Sequence, residues 1–153
     1  MRFLDQHKIE YTAHTYEHKD GDPVDGVHVA SMLNQPVQAV YKTLVTQANT
    51  KEFLVYMVPV DQELDLKKCA KVAGVKSCEM IHVKDINKIT GYIRGGCSPL
   101  GMKKQFRTFI EKEALNHEHI YFSAGKIGIQ IEMDPKDLMH LIPIEAHEIC
   151  KEL

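Results

Sequence analysis

The stretch Thr-Gly-Tyr-Ile-Arg-Gly-Gly-Cys-Ser-Pro-Leu-Gly, residues 90–101, separates helical patterns upstream from apolar runs downstream. It holds four glycines and one proline within twelve residues. Adjacent glycines such as Gly95 and Gly96 let the backbone turn tightly and approach a ligand closely. Successive N–H groups in such a turn can converge on an anion or a developing oxyanion. The segment therefore predicts either an ordinary tight turn or a ligand-binding loop.

Strand patterns lie on both sides of this loop. A strand is expected near Tyr11–Tyr16, and the runs 39–46 and 53–60 predict a hairpin connected by residues 47–50. Further strands fit residues 108–110, 119–122 and 127–131.

Helical patterns are interspersed with these strands. Helices are predicted at 24–33, where Val27, Ala30 and Leu33 share a face, at 66–73, at 83–89 and at 135–141. Asp65 is the expected N-cap of the helix at 66–73, and Gly74 its expected end. Helices mixed with hairpin-like strand pairs favour an α+β domain over a repeated βαβ sheet.

The bulk composition predicts one domain spanning residues 1–153. No run approaches the roughly 20 apolar residues of a membrane span, and the N-terminal residues lack the apolar core of a signal peptide. The four cysteines form no CxxC pair. These features predict a cytoplasmic protein with reduced thiols.

Charge is distributed unevenly along the chain. Residues 67–107 hold ten Lys or Arg against two Asp or Glu, whereas both flanking regions are acidic. The basic region is typical either of a solvated helix face or of a surface that contacts a phosphate backbone.

Five ordered motifs carry a family resemblance. Besides residues 90–101 with Lys103 and Lys104, they are His-Thr-Tyr-Glu-His at 14–18, Val-Tyr-Lys-Thr-Leu-Val at 40–45, Leu-Asp-Leu-Lys-Lys at 64–68 with Val-Lys at 75–76, and Ile-Tyr-Phe-Ser-Ala-Gly-Lys at 120–126. The chain resembles the YbaK/EbsC family over nearly its whole length. That family comprises free-standing aminoacyl-tRNA deacylases, similar to the editing domain of bacterial prolyl-tRNA synthetases.

The resemblance implies a mixed, partly closed β-barrel-like sheet with helices packed outside. It also implies trans-editing of cysteine mischarged on proline tRNA, in which the substrate's own thiol attacks its ester. Removal of alanine through an activated water stays open, as does a binding module for tRNA or a synthetase without catalysis. The expected partner is the acceptor end of proline tRNA, with prolyl-tRNA synthetase open as a second.

Lys42 is the main candidate for chemistry. In a strand it shares a face with Val40 and Leu44, and a lysine between apolar residues is costly to bury without a partner. The pattern alone is compatible with two interpretations: a lysine that protects an edge strand from aggregation, or a lysine with a function in the site. The resemblance implies that Lys42 faces the pocket and holds a phosphate or polarises the ester.

The remaining site residues also follow from the resemblance. Gly95 and Gly96 would donate N–H groups to the substrate, whereas Cys97 is expected in the pocket wall because a nucleophilic thiol needs an adjacent base. The predicted substrate-binding set is Tyr16, Tyr41, Thr43, Cys97, Ser98, Pro99, Ser123, Ala124, Gly125 and Gln130. The predicted tRNA-binding set is Lys67, Lys68, Lys71, Arg94, Lys103 and Lys104.

No metal or cofactor is predicted. The closely spaced pairs are His14 with His18, His117 with His119, and His147 with Cys150, but no HExxH motif is present. These histidines are interpreted as surface residues.

Overall fold

A computed structural model of the chain describes residues 4–5, 8–17, 26–93 and 96–152. Within them, eight strands form two sheets. The strands are β1 Thr12–Thr15, β2 Tyr41–Ala48, β3 Phe53–Pro59, β4 Cys78–Met80, β5 Arg107–Glu111, β6 Ile120–Ser123, β7 Ile129–Met133 and β8 Ile144–His147. The larger sheet has the order β4-β2-β3-β5-β8, and the smaller has the order β1-β7-β6.

The larger sheet mixes parallel and antiparallel pairing. β2 and β3 form the predicted antiparallel hairpin, and β3, β5 and β8 run parallel to one another. In the described part of the chain, the sheets do not close into a barrel. They meet at an isolated bridge between Val40 and Tyr121.

Four α-helices surround the sheets in the described residues: α1 Gly26–Met32, α2 Leu66–Ala73, α3 Ile86–Thr90 and α4 Pro135–Leu141. Short 3₁₀ segments cover Val37–Ala39, Val83–Asp85 and Lys112–Asn116. None of these described helices has the length and apolar character that a membrane span requires.

Helix α2 begins and ends where the sequence predicts. The Asp65 carboxylate accepts hydrogen bonds from the N–H groups of Lys67 and Lys68, and Gly74 ends the helix with a φ of +73°. Its apolar face, with Cys69, Ala70 and Ala73, is buried.

Two core clusters lie on opposite faces of the larger sheet, because successive side chains of a strand alternate. Met57 and Ile110 face the smaller sheet, where they pack with residues of β6, β7 and α4. Tyr56 and Phe109 face the other way and pack with α2. The smaller sheet therefore covers one face of the larger sheet, and α2 covers the other.

Three details differ from the sequence-based predictions. Val27 is 43% exposed, and α1 instead buries Val29 and Ala30, because this short helix packs on Val40 and Val60. β7 begins at Ile129 rather than residue 127, since Gly125 and Gly128 form a turn with positive φ. The sequence did not predict β4 or β8, which pair with Thr46–Ala48 and with Thr108–Glu111, respectively.

Candidate active site

A cavity of about 510 Å³ lies along the open edge of β2. β4 pairs only with the last three residues of β2, so it does not extend along the edge of β2 from Tyr41 to Val45. The cavity fills this gap. Its walls are formed by residues of α1, β2, the segment 80–86, β6 and β7, together with the residue after β1 and the loop at Cys97. The polar or reactive lining residues are Tyr16, Tyr41, Lys42, Thr43, Cys97, Ser123 and Gln130.

The main chain of β2 presents polar groups to this edge. Val60 donates to the Val40 carbonyl at 2.8 Å on the β3 side, and Ile81 donates to the Val45 carbonyl at 3.3 Å on the other side. Because the direction alternates along an antiparallel strand, the N–H and C=O of Thr43 point away from β3 and toward the cavity edge.

The side chain of Thr43 adds a further polar group. Its Oγ1 is buried and has no hydrogen-bond partner in the part of the chain that the structure describes. Buried hydroxyls are normally paired, so this one is available to a group that enters the cavity.

Lys42 lies beside Thr43 in the cavity wall and is half-buried. Its neighbour across the hairpin is Val58, which offers no charge. Among the described residues, no carboxylate lies within ion-pair distance of its ammonium. An ammonium without a carboxylate partner can bind an anionic or developing anionic oxygen.

Gln130 forms part of the opposite wall. It lies at the centre of the smaller sheet, between His14 of β1 and Ser123 of β6, and is 3% exposed. Its Oε1 accepts a hydrogen bond of 2.7 Å from Nε2 of Gln35. This contact fixes the orientation of the Gln130 amide at the cavity.

Cys97 lines the cavity as a neutral thiol. Burial raises its pKa to about 11, although a hydrogen bond with Thr90 acts in the opposite direction. A nucleophilic cysteine requires a lowered pKa, so this environment is typical of a structural wall residue.

Tyr16 is held at the end of β1. Its N–H donates to the Gly128 carbonyl at 2.9 Å, and the residue is half-buried in the cavity wall. Tyr41 borders the cavity through its position on β2, but it belongs to the core cluster between the sheets. Burial raises the pKa of the Tyr41 hydroxyl, which stays protonated.

Gly96 requires a correction. Its N–H donates to the Ile93 carbonyl at 3.0 Å and so closes a turn instead of facing a substrate. A Cβ at Gly96 would lie 3.4 Å from the Ile127 backbone nitrogen, so this glycine allows two loops to pack closely. Gly95 and Arg94 lie outside the described residues.

Four other predicted wall residues lie behind the cavity lining. Ser98 is 1% exposed and its Oγ accepts a hydrogen bond from the Leu100 N–H, while Pro99 is buried beside it. In the facing loop, Ala124 donates its N–H to the Ile129 carbonyl, and Gly125 donates to Ser123 Oγ. These hydrogen bonds shape each loop from within, and of the facing loop, among the described residues, Ser123 reaches the cavity.

The predicted tRNA-binding lysines occupy different surfaces. Lys67 and Lys71 are exposed on α2, but Lys68 donates hydrogen bonds to Glu148 Oε1 at 2.8 Å and to the Cys150 carbonyl at 3.0 Å. Lys68 therefore ties α2 to the C-terminal segment. Lys103 and Lys104 are exposed and line a second cleft next to the cavity.

The sequence did not single out Gln35, whose side chain holds the Gln130 amide. It lies 95 positions from Gln130, and no local pattern links the two. Its Oε1 is buried without a partner among the described residues, a signal that only the folded chain provides.

Comparisons with known proteins identify the family of the chain. The family model of the aminoacyl-tRNA editing domain matches residues 24–141. The chain is 45% identical over 149 residues to EbsC of Enterococcus faecalis, a protein named for a proposed Cys-tRNA(Pro)/Cys-tRNA(Cys) deacylase activity; the match covers 97% of this chain and 90% of EbsC.

Solved structures share the fold at low identity. A hypothetical protein superposes with a TM-score of 0.89 at 15% identity, covering 98% of this chain and 97% of that one. A proposed trans-editing enzyme for prolyl tRNA synthetase gives a TM-score of 0.82 at 16% identity, covering 99% and 94%.

The chain belongs to the aminoacyl-tRNA editing domain family. It is an aminoacyl-tRNA deacylase, an enzyme that hydrolyses the ester between an amino acid and tRNA.

Proposed function

We propose that this deacylase removes cysteine from mischarged proline tRNA, acting as a separate editing enzyme. Cysteine is small enough to enter a synthetase pocket built for proline, and binding alone discriminates such side chains only modestly. The activity named for EbsC supports this substrate.

The observation that carries the mechanism is the composition of the cavity wall. Its described lining contains no histidine, aspartate or glutamate, and its one cysteine is neutral. These residues therefore offer neither an activated nucleophile nor a general base. A substrate that brings its own nucleophile, the cysteine thiol, fits such a wall.

The proposed reaction has two steps. The thiol sulfur attacks the ester carbonyl, a C–S bond forms as the bond to the ribose oxygen breaks, and the thiol proton passes to that oxygen. Water then opens the released thiolactone to give free cysteine. The Thr43 hydroxyl and N–H stabilise negative charge on the carbonyl oxygen. The Lys42 side chain leaves the opposite face of β2, so its ammonium contributes from the open edge of the strand. The protein therefore acts by positioning and electrostatics.

The proposal extends to partners and place of action. The whole chain, residues 1–153, acts as one editing domain on the acceptor end of proline tRNA in the cytoplasm, where tRNA is charged. Prolyl-tRNA synthetase is the proposed source of the mischarged substrate. The family match across residues 24–141 and the 97% coverage by EbsC support a single functional unit.

The test is release of labelled amino acid from proline tRNA carrying cysteine, serine, alanine or proline. We expect release of cysteine alone. Serine has nearly the same shape as cysteine without the thiol, so its retention would show thiol dependence. Release of alanine or serine would favour an activated water, and release of none would overturn the proposed substrate.

Replacing Lys42 separates catalysis from binding. We expect Lys42→Ala to lower kcat for cysteine release by roughly 10²–10³, the usual cost of losing one oxyanion donor, with little change in tRNA affinity. Lys136→Ala is the matched control, because Lys136 is an exposed lysine on α4, away from the cavity lining. Equal kcat for the two variants would remove Lys42 from the mechanism.

A further inference from the structure

A second cleft, of about 830 Å³, adjoins the cavity and has no role in the reaction described above. It lies between the β2–β3 turn, the segment from Glu79 to Ile89, and residues 103–106. Met80 and Ile81 line both the cleft and the cavity, so the two spaces are neighbours across one short segment.

The cleft carries an excess of positive charge. Its lining includes Lys51, Lys88, Lys103 and Lys104 against two carboxylates, Glu79 and Asp85. All four lysines are exposed, and none forms an ion pair with another described residue. Such ammonium groups attract a chain of phosphates.

The cleft also contains aromatic surface. Phe53 and Phe106 meet edge to face, with ring centroids 5.8 Å apart and an interplanar angle of 73°. Both line the cleft and are half-buried, so each ring is held by packing yet partly accessible. Grooves that combine cations with fixed aromatic rings bind single-stranded nucleic acid, because each base can stack while the backbone follows the charge.

We propose that this lysine cleft binds the single-stranded 3′ end of the tRNA substrate, the nucleotides that precede the esterified one. This inference rests on the proposed function, because the cavity would hold the terminal aminoacylated nucleotide. The chain of nucleotides then passes over Met80 and Ile81 from the cleft into the cavity. The surface of α2 that carries Lys67 and Lys71 is assigned no part in this contact.

The test compares two double variants that each remove two exposed lysines. Lys103→Ala with Lys104→Ala changes the cleft, and Lys67→Ala with Lys71→Ala changes α2. The probe is a fluorescent single-stranded RNA pentanucleotide ending in CCA, titrated at several salt concentrations. We expect the cleft variant to bind the pentanucleotide roughly tenfold more weakly at about 0.1 M salt. The slope of log K against log salt concentration should be smaller in magnitude by about 1.4. The α2 variant should bind as the parent chain does.

A kinetic comparison gives an independent readout. The cleft variant should lose kcat/KM on cysteinyl-tRNA through a higher KM, whereas cleavage of a cysteinyl-adenosine ester, which lacks the preceding nucleotides, should be unchanged. Phe106→Leu, which keeps apolar volume but removes the ring, should weaken pentanucleotide binding in the same way.

Two outcomes would contradict the proposed role of the cleft. One is that the α2 variant loses as much RNA binding as the cleft variant. The other is that the cleft variant loses as much activity on the adenosine ester as on cysteinyl-tRNA. Failure of the proposed function looks different. The parent chain would then cleave neither cysteinyl ester, while the lysine-dependent binding of the pentanucleotide would still report on the cleft.

Discussion

The unpartnered hydroxyl of Thr43 is the clearest sign of a ligand-binding group at the scale of single residues. Thr43→Val keeps the shape of the side chain and removes Oγ1. We expect kcat/KM for deacylation to fall roughly three- to tenfold, as for the loss of one hydrogen bond. The free energy of unfolding should stay within about 0.5 kcal/mol of the parent value, because the hydroxyl has no described partner in the folded chain.

This variant is informative because activity and stability should separate. Urea denaturation and steady-state kinetics on the same preparation measure both. Full activity would show that Thr43 Oγ1 does not contact the substrate, and a large loss of stability would show that it has a partner in the fold.

Cys97 gives the opposite expectation. Because burial raises its pKa to about 11, the thiol stays protonated at neutral pH. We expect Cys97→Ala to retain kcat within about threefold, whereas removal of a true nucleophile lowers kcat by several orders of magnitude. Slow alkylation of Cys97 by iodoacetamide at pH 8 would agree with a protonated, buried thiol, and rapid alkylation that stops the reaction would contradict it.

At the scale of elements, α2 depends on its N-cap. Asp65 accepts hydrogen bonds from Lys67 N at 3.0 Å and Lys68 N at 3.1 Å. Asp65→Ala should lower the free energy of unfolding by about 1 kcal/mol, and Asp65→Asn should lower it less, because asparagine caps helices as well. Urea denaturation measures both. Equal losses would attribute the effect to the charge of Asp65 rather than to capping.

Local sequence patterns predicted elements such as α2 and the β2–β3 hairpin, because their stop signals and alternation lie within a few residues. β4 was not predicted, because it is three residues long and becomes a strand only by pairing with β2. The same limit applies to the site. Lys42 was named from a motif and Gln130 from the family resemblance, but the Gln35 contact and the open edge of β2 depend on chain segments that meet only after folding.

The glycine loop shows a second limit. The sequence predicts that the backbone turns at Gly96 and approaches a neighbouring group closely. In the structure, that neighbouring group is the Ile127 backbone. A glycine pattern cannot distinguish a protein neighbour from a ligand, since both require the same lack of Cβ.

At the scale of the whole molecule, Glu132 of β7 links β1 to the residue that precedes β6. It lies in β7, with His14 Nε2 at 2.8 Å from one carboxylate oxygen and His119 Nδ1 at 2.7 Å from the other. Burial acts to raise the pKa of Glu132, but the hydrogen bonds from both histidines outweigh burial and lower it.

This shift fixes the sign of a pH dependence. A carboxyl whose pKa falls on folding stabilises the folded state above its ordinary value of 4.5, and the contribution is lost as the pH falls through the lowered pKa. Glu132→Gln should therefore lower the free energy of unfolding at pH 7 and have a much smaller effect at a pH below the lowered pKa. Glu118→Gln is the control, because Glu118 is an exposed glutamate that directly precedes His119 in the sequence. A loss that is the same at both pH values would contradict the linkage.

The two sheets form different walls of the cavity, because they meet there and, in the described residues, do not close into a barrel. The larger sheet contributes Lys42 and Thr43, the groups that would act on any ester, whereas the smaller sheet contributes Ser123 and Gln130, the groups that would contact a particular side chain. Substitutions confined to the three short strands of the smaller sheet would thus change which amino acid an editing domain removes from tRNA. The β2–β3 hairpin, with Lys42 and Thr43, would be inherited unchanged.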